Sequence, residues 1–262
     1  MDKQTRLSLL AQAVMERGSI EVEQVVEEFG VSHATARRDL DALAQQQLVV
    51  RTRGGAKAQP ASGDVPLRYR TSRHSVQKQA IAKLAAAMVE PGKVIGLNGG
   101  TTTTAIAHEI AIQAAADERF LETPLTVVTN AVNIANDLII RPQVRVVLTG
   151  GVARTNSYEL VGPLAALILP AIRLDAFFLG VNAVDLDAGG FYTHTEDEAA
   201  INAQMMQAAA ATVVPADSSK LGRSAFARIC GLDEVAEVIT DEAAAPEHLA
   251  ALRAAGLRVS QP

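Results

Sequence analysis

Val31-Ser32-His33-Ala34-Thr35-Ala36-Arg37-Arg38-Asp39-Leu40 is the stretch around which the first part of the chain is organised. Ser32 is of the residue type that caps a helix, because its hydroxyl can accept a backbone N–H of the first turn. Ala36, Leu40 and Leu43 recur at i, i+4 and i+7, the spacing of a buried helical stripe. His33, Arg37 and Asp41 fall on another face, with Thr35 and Arg38 beside them. Upstream, Val22, Val25, Val26 and Phe29 define a second amphipathic helix, and Gly30 can turn sharply between the two. Helix, glycine turn and capped basic helix together form a helix-turn-helix pattern, whose second helix enters the DNA major groove.

Two amphipathic helices joined through glycine also occur in many helical cores, so the flanking sequence decides. Leu48-Val49-Val50-Arg51-Thr52-Arg53-Gly54-Gly55-Ala56 is a short β-prone run with two arginines and a double glycine. It predicts a hairpin wing that presents Arg51 and Arg53 to phosphates. Leu7, Leu10, Ala11 and Val14 predict a first helix, ended by Gly18, and Ser19-Ile20-Glu21 an extended link able to pair with the wing. Residues 1–57 thus read as a winged helix-turn-helix domain, all-α apart from its wing, with Ser32, His33, Thr35, Arg37, Arg38, Arg51 and Arg53 as DNA contacts.

The chain has 262 residues and a formal net charge of −5, which by itself argues against DNA binding. Charge acts locally, however. Up to residue 30 the acids outnumber Lys3, Arg6 and Arg17, but between residues 31 and 83 ten lysines and arginines stand against Asp39, Asp41 and Asp64. The basic stretch coincides with the second helix, the wing and the residues just after the wing, where phosphate contacts are wanted. No apolar run approaches the ~20 residues of a membrane span, and the N-terminus lacks a signal-peptide pattern. Cys230 is the single cysteine. That excludes an intramolecular disulfide and a cysteine-based zinc cluster, and Ile229-Cys230-Gly231-Leu232 reads as a small buried site. A cytoplasmic protein is expected, without cofactor, metal or membrane partner.

Pro60, Ser62, Gly63 and Pro66 break any periodicity, and residues 58–77 read as a linker carrying Arg68, Arg70, Arg73 and His74. From residue 78 to 262 a second domain is expected. Ile81, Leu84, Ala85 and Met88 predict a helix that stops before Pro91-Gly92. Val94–Leu97, Leu125–Val128, Val144–Leu148, Ala176–Leu179, Thr212–Pro215 and Val235–Ile239 are β-prone, with helical stretches at Val132–Leu138, Leu164–Leu169 and Glu196–Ala210. Apolar strands alternating with helices predict an α/β domain with a mainly parallel sheet covered on both faces. Functional residues then gather in loops at the carboxyl ends of strands. Asn98-Gly99-Gly100-Thr101-Thr102 follows the first strand, Thr129-Asn130 the second, Thr149-Gly150-Gly151 the third, and Asp217-Ser218-Ser219-Lys220 a later one. Glycines admit a ligand to the backbone, threonines and a helix N-terminus supply donors, and Lys220 supplies a cation, a set that suits a phosphate group.

His33-Ala34-Thr35-Ala36-Arg37-Arg38-Asp39-Leu40 and Arg51-Thr52-Arg53-Gly54-Gly55-Ala56 resemble the N-terminal domain of the DeoR family of bacterial transcription regulators. Leu97–Thr102, Val128–Asn130, Leu148–Gly151 and Ala216–Lys220 resemble that family's C-terminal sensor domain. The resemblance spans nearly the whole chain. It implies a sugar-phosphate isomerase-like sensor fold used for binding, and a regulator, usually a repressor, that leaves operator DNA when a phosphorylated sugar binds. It also implies a homodimer or homotetramer, since two half-sites need two reading heads. The implied phosphate contacts are Gly100, Thr101, Thr102 and Lys220. Asn98, Gly99, Thr129, Asn130, Gly150 and Gly151 would line the same pocket, and Asn156, Glu159 and Asp175 would meet sugar hydroxyls. Two positions depart from the family pattern: Ala36 where isoleucine is usual, and Asn98 where the phosphate loop usually starts with aspartate. Two alternatives share these residues, an active sugar-phosphate isomerase or deaminase carrying a DNA-binding domain, and a transcriptional activator. No close carboxylate pair or His–acid spacing marks a catalytic site, and Glu196, Asp197 and Glu198 look like acids of a helix's first turn, where they favour the macrodipole.

Overall fold

The structure, a computed structural model, describes residues 2–46, 48–58, 67 and 74–262, with Met15 and Glu16 described by their backbone alone. The chain divides into two compact units, Met1–Arg73 and His74–Pro262.

The first unit runs α1 (Lys3–Arg17), β1 (Ser19–Glu21), α2 (Val22–Phe29), α3 (His33–Gln45), β2 (Val49–Arg51) and β3 (Gly55–Ala58). Leu7, Leu10, Ala11 and Val14 of α1 pack with Val22 and Val25 of α2 and Ala36, Leu40 and Leu43 of α3 in one buried cluster. Gly18 and Gly30 end α1 and α2 in the left-handed conformation. β1, β3 and β2 form a three-stranded antiparallel sheet, so the extended link does pair with the wing, Ile20 opposite Ala56. That pairing requires a residue without a side chain at the hairpin: a β carbon on Gly55 would sit 1.9 Å from the Ile20 carbonyl oxygen.

The second unit begins with α4 (Ser75–Ala86), β4 (Val94–Leu97), α5 (Thr101–Ala116), α6 (Arg119–Glu122), β5 (Leu125–Thr129), α7 (Val132–Leu138) and β6 (Val144–Leu148). A hairpin of β7 (Val152–Ala153) and β8 (Leu160–Val161) comes next, then α8 (Pro163–Ala166), β9 (Ala176–Phe178), β10 (Ala183–Asp185) and β11 (Gly190–Thr193). The chain closes with α9 (Glu196–Gln207), β12 (Thr212–Pro215), β13 (Ala227–Gly231), β14 (Glu237–Ile239), α10 (Pro246–Ala254) and β15 (Arg258–Ser260). Seven strands make one sheet in the order β15-β14-β12-β9-β4-β5-β6, every neighbouring pair parallel. Adjacent strand residues point to opposite faces, and Phe177 and Phe178 on β9 accordingly enter two different clusters. Phe177 packs with Ala165, Ile201, Met205 and Leu252; Phe178 packs with Ile81, Ile106, Ile110 and Ile134. The expected parallel sheet with helices on both faces is present.

Several details differ from the sequence reading. The helix α4 starts at Ser75, inside the stretch read as linker, and ends at Ala86, so Met88 lies in the following turn, 43% exposed. The segment expected as a helix over Leu164–Leu169 is one turn of α-helix followed by a 3-10 turn at Leu169–Ala171, with Pro170 at the break. α9 stops at Gln207 and β14 starts at Glu237. A second sheet, the antiparallel β10-β11-β13, and the β7–β8 hairpin are additions to the expected elements. Arg68, Arg70 and Arg73 lie outside the described residues, whereas His74 is the left-handed residue that opens α4.

Candidate functional site

In the first unit the basic helix is built as its sequence requires. The Ser32 hydroxyl accepts the Thr35 N–H at 3.2 Å and lies 3.0 Å from the Thr35 hydroxyl, closing the first turn of α3. His33 and Arg37 are exposed, and Arg37 makes no hydrogen bond or ion pair among the described residues. Arg38, also exposed, donates to the Ala34 carbonyl at 3.2 Å. Asp39 points inward. Only 2% exposed, it receives Arg6 Nε at 2.6 Å and Arg6 Nη2 at 3.4 Å, a pair that ties α3 to α1 and raises the Arg6 guanidinium above its ordinary range. The two wing arginines separate. Arg53 is exposed with no partner among the described residues. Arg51 instead donates to Asp41 at 2.8 Å and to the Gly55 carbonyl, so it ties the wing to α3.

In the second unit the sheet order reverses at β4. The chain leaves β4 for β5 and β6 on one side and returns to β9, β12, β14 and β15 on the other. A crevice outside the carboxyl ends of the strands at such a switch point is where open α/β sheets bind ligands. Asn98-Gly99-Gly100-Thr101-Thr102 lies there, between β4 and the first turn of α5. Gly100 is the N-cap of α5 and brings no side-chain cap, so the first-turn N–H groups are left to other acceptors. Thr103 and Thr104 hydroxyls both donate back to the Gly100 carbonyl, at 3.1 and 2.6 Å.

Hydrogen bonds hold the neighbouring strand ends around this loop. Asn98, 1% exposed, donates through Nδ2 to the Gly180 carbonyl at 2.9 Å and accepts the Gly180 N–H at 2.7 Å, bridging the ends of β4 and β9. The Thr129 hydroxyl donates to the Leu97 carbonyl at 2.6 Å and accepts the Ala131 N–H at 3.0 Å. Thr129's carbonyl accepts the Thr149 N–H at 3.0 Å, which draws in the loop of Gly150 and Gly151. Asn130 Nδ2 donates to Glu159 Oε2 at 3.3 Å, and the Glu159 side chain fills the space over Gly99, where an added β carbon would lie 2.4 Å from Glu159 Cγ. Ser218 donates to buried Asp241 through its N–H at 2.6 Å and its hydroxyl at 3.0 Å, while Asp217 accepts the Ser219 N–H; these bonds shape the turn that carries Lys220.

Asn98 to Thr102, Thr129, Asn130, Gly150, Gly151, Glu159 and Lys220 therefore share one rim of the sheet, and Asn156 sits in the β7–β8 turn beside Glu159. Asp175 does not join them. It immediately precedes β9 and accepts the Val94 N–H at 2.8 Å, at the amino ends of the strands, the opposite edge from the loops. Other residues escape the sequence reading. Glu198, which reads as a first-turn acid, is 4% exposed and paired with Arg154 at 3.2 Å, and Thr193 Oγ1 lies 2.8 Å from Glu198 Oε2 and from Asn182 Oδ1. A signal for it exists, since Glu198, Ile201 and Met205 recur at i, i+3 and i+7 and a charge on a buried stripe needs a partner. Among the described residues no three His, Cys, Asp or Glu side chains group as metal ligands, and no helix is long and apolar enough to cross a membrane. Cys230 is buried, and desolvation pushes its thiol up to about 12.

Comparison with known proteins agrees with this division. Residues 6–60 match the DeoR-like helix-turn-helix domain, and residues 73–242 match the DeoR C-terminal sensor domain. A protein of Escherichia coli O157:H7, named provisionally as an aga operon transcriptional repressor, is 33% identical over 97% of this chain and 92% of its own length. The glycerol-3-phosphate regulon repressor of Escherichia coli K12 is 30% identical over 91% of each chain. Among solved structures, ribose 5-phosphate isomerase A from Methanocaldococcus jannaschii aligns with 56% of this chain and 54% of its own at a TM-score of 0.37 and 19% identity. With both of its domains matched in order and its relatives matched nearly end to end, the chain belongs to the DeoR family of transcriptional regulators.

Proposed function

We propose that the chain is a repressor of a sugar-utilisation operon that leaves its operator when a phosphorylated sugar binds the loop Asn98–Thr102. The observation that carries this reading is the position of the loop, an uncapped first turn of α5 opening at the switch point of a parallel sheet. Backbone N–H groups and the helix dipole there favour an anion. Gly100, Thr101 and Thr102 supply the phosphate donors. Lys220 supplies the opposing cation from the end of β12, two strands from β4 and so ~10 Å across the sheet at ~4.8 Å per strand. Asn98 and Thr129 act as struts of the rim, and Asn130, whose buried Oδ1 has no hydrogen-bond partner among the described residues, reads the sugar together with Asn156 and Glu159. The name of the glycerol-3-phosphate regulon repressor supports a phosphorylated polyol or sugar as effector class.

On the DNA side, Arg37 and His33 face the base edges, Arg38 and Arg53 the phosphates, and Ser32, Thr35 and Arg51 keep helix and wing in shape. Reading two half-sites takes at least a dimer. Effector and operator then bind alternative arrangements of the same oligomer, each weakening the other by the same factor. A thermal-shift screen of phosphorylated sugars against their unphosphorylated parents tests the sensor, because a ligand that binds only the folded state raises the melting temperature. A shift with one phosphorylated sugar and none with its parent is expected. Equal shifts with both, or none across the panel, would refute the phosphate assignment.

A further inference from the structure

Of the thirteen exposed large hydrophobic residues among those described, seven lie between Val132 and Leu167. They bracket β6, the edge strand of the seven-stranded sheet. Ile139 and Ile140, 69% and 73% exposed, precede it; Leu148 ends it at 42%; and Val152, at 66%, opens the hairpin beyond it. Leu164 on α8 and Leu167 just after it come next, 62% and 70% exposed.

The two edges of this sheet are treated differently. β15, the other edge, is three residues long, and its Arg258 and Ser260 are polar and bonded to Glu237 at 3.2 and 2.6 Å. β6 has five residues, Val144-Arg145-Val146-Val147-Leu148, with one charge and no proline. A long apolar edge with free N–H and C=O groups is a template for another strand unless something covers it.

We infer that the β6 edge, with Ile139, Ile140 and Val152 at its two ends, is where a second copy of this chain docks, edge against edge across a two-fold axis. A strand is its own antiparallel partner under such an axis, and an isologous patch needs only to complement itself. The patch meets that condition: antiparallel pairing sets Ile139 and Ile140, before β6 in one copy, beside Leu148 and Val152 at the far end of β6 in the other, apolar against apolar at both ends. Ile139, Ile140, Leu148 and Val152 together expose on the order of 400 Å² of apolar surface, about half of the ~800 Å² that one partner gives to a standard interface. The unpaired edge of β6 itself adds to that area. The inference rests on the repressor reading only for the expectation that the chain self-associates.

Sedimentation equilibrium of the full chain tests it. The native protein is expected as a dimer or larger, and Ile140→Glu with Val152→Glu to lower its mass by a factor of two or more while the far-ultraviolet circular dichroism is kept. Both side chains are exposed, so neither change opens the core; the milder Ile140→Gln should raise the dissociation constant at least tenfold. Phe226→Glu, at a side chain 81% exposed outside this segment, is expected to leave the mass unchanged. A native oligomer that survives the double change, or that Phe226→Glu splits, overturns the β6 interface and leaves the repressor reading intact. A native monomer that binds a two-half-site operator as a monomer overturns both.

Discussion

Arginines that look equivalent in the sequence have different surroundings in the structure. Arg37 stands exposed on α3, whereas Arg51 is held by Asp41 and the Gly55 carbonyl. Arg37→Ala should therefore weaken binding to a selected operator about 10- to 100-fold, the worth of ~1–3 kcal/mol for a bidentate base contact, and leave the melting temperature unchanged. Arg51→Ala should instead lower the melting temperature of the first unit, a difference that fluorescence anisotropy and calorimetry on the two variants would reveal. Asp39, unlike the two arginines before it, has a structural duty in the Arg-Arg-Asp-Leu run. Removing it leaves Arg6 with an uncompensated, largely buried charge, so Asp39→Ala should cost about 3 kcal/mol in urea unfolding. Cys230 offers a negative test: with its thiol raised to about 12 and buried, it should resist a thiol reagent at pH 8 and react fully in guanidinium. Rapid modification of the native protein would contradict the burial.

Elements are legible where one signal suffices. The periodic apolar stripes of α1, α2 and α3, the apolar runs of β4, β5 and β6 ending in loops of glycine and threonine, and the apolar run of β12 ending in Asp217–Lys220, arise directly from local sequence. So does the rim on which those loops meet, because parallel strands place all their carboxyl ends on one side. The β10-β11-β13 sheet is hidden because its short strands, such as Gly190–Thr193 and Ala227–Gly231, mix glycine, polar and charged residues and form no continuous apolar run. Pairings between distant residues are hidden too: Glu198 with Arg154 and Asp41 with Arg51 depend on tertiary geometry that spacing along the chain does not encode. Asp175 illustrates the converse error: the family resemblance assigned it to the sugar, although it precedes β9 and accepts the Val94 N–H at the opposite end of the strands. Asn98 is the test of the rim's construction. Its amide satisfies both polar groups of half-buried Gly180, so Asn98→Ala removes both bonds, at roughly 1 kcal/mol each. Asn98→Asp can still accept the Gly180 N–H but cannot donate to its carbonyl. The melting temperatures should fall in the order native, Asn98→Asp, Asn98→Ala, and an alanine variant as stable as the native protein would show that the bridge contributes nothing.

At the scale of the molecule, one unit is the helix-turn-helix domain and the other the sensor domain whose β4 loop we assign to a phosphate, and regulation requires that the two be energetically linked. A ligand that binds both states equally shifts nothing, however tightly it binds. The effector must therefore favour the arrangement that holds two winged domains at the wrong spacing. The most direct measurement is the affinity of the full chain for an operator selected from random DNA, with and without the phosphorylated sugar identified by thermal shift, for the native protein and for Lys220→Ala. Native protein should lose at least tenfold in affinity when the sugar is added. Lys220→Ala should bind the operator as tightly as the native protein but respond to the sugar only at much higher concentration. If the sugar releases Lys220→Ala from DNA at the native concentration, the phosphate does not bind Lys220, and the mechanism of release must lie elsewhere.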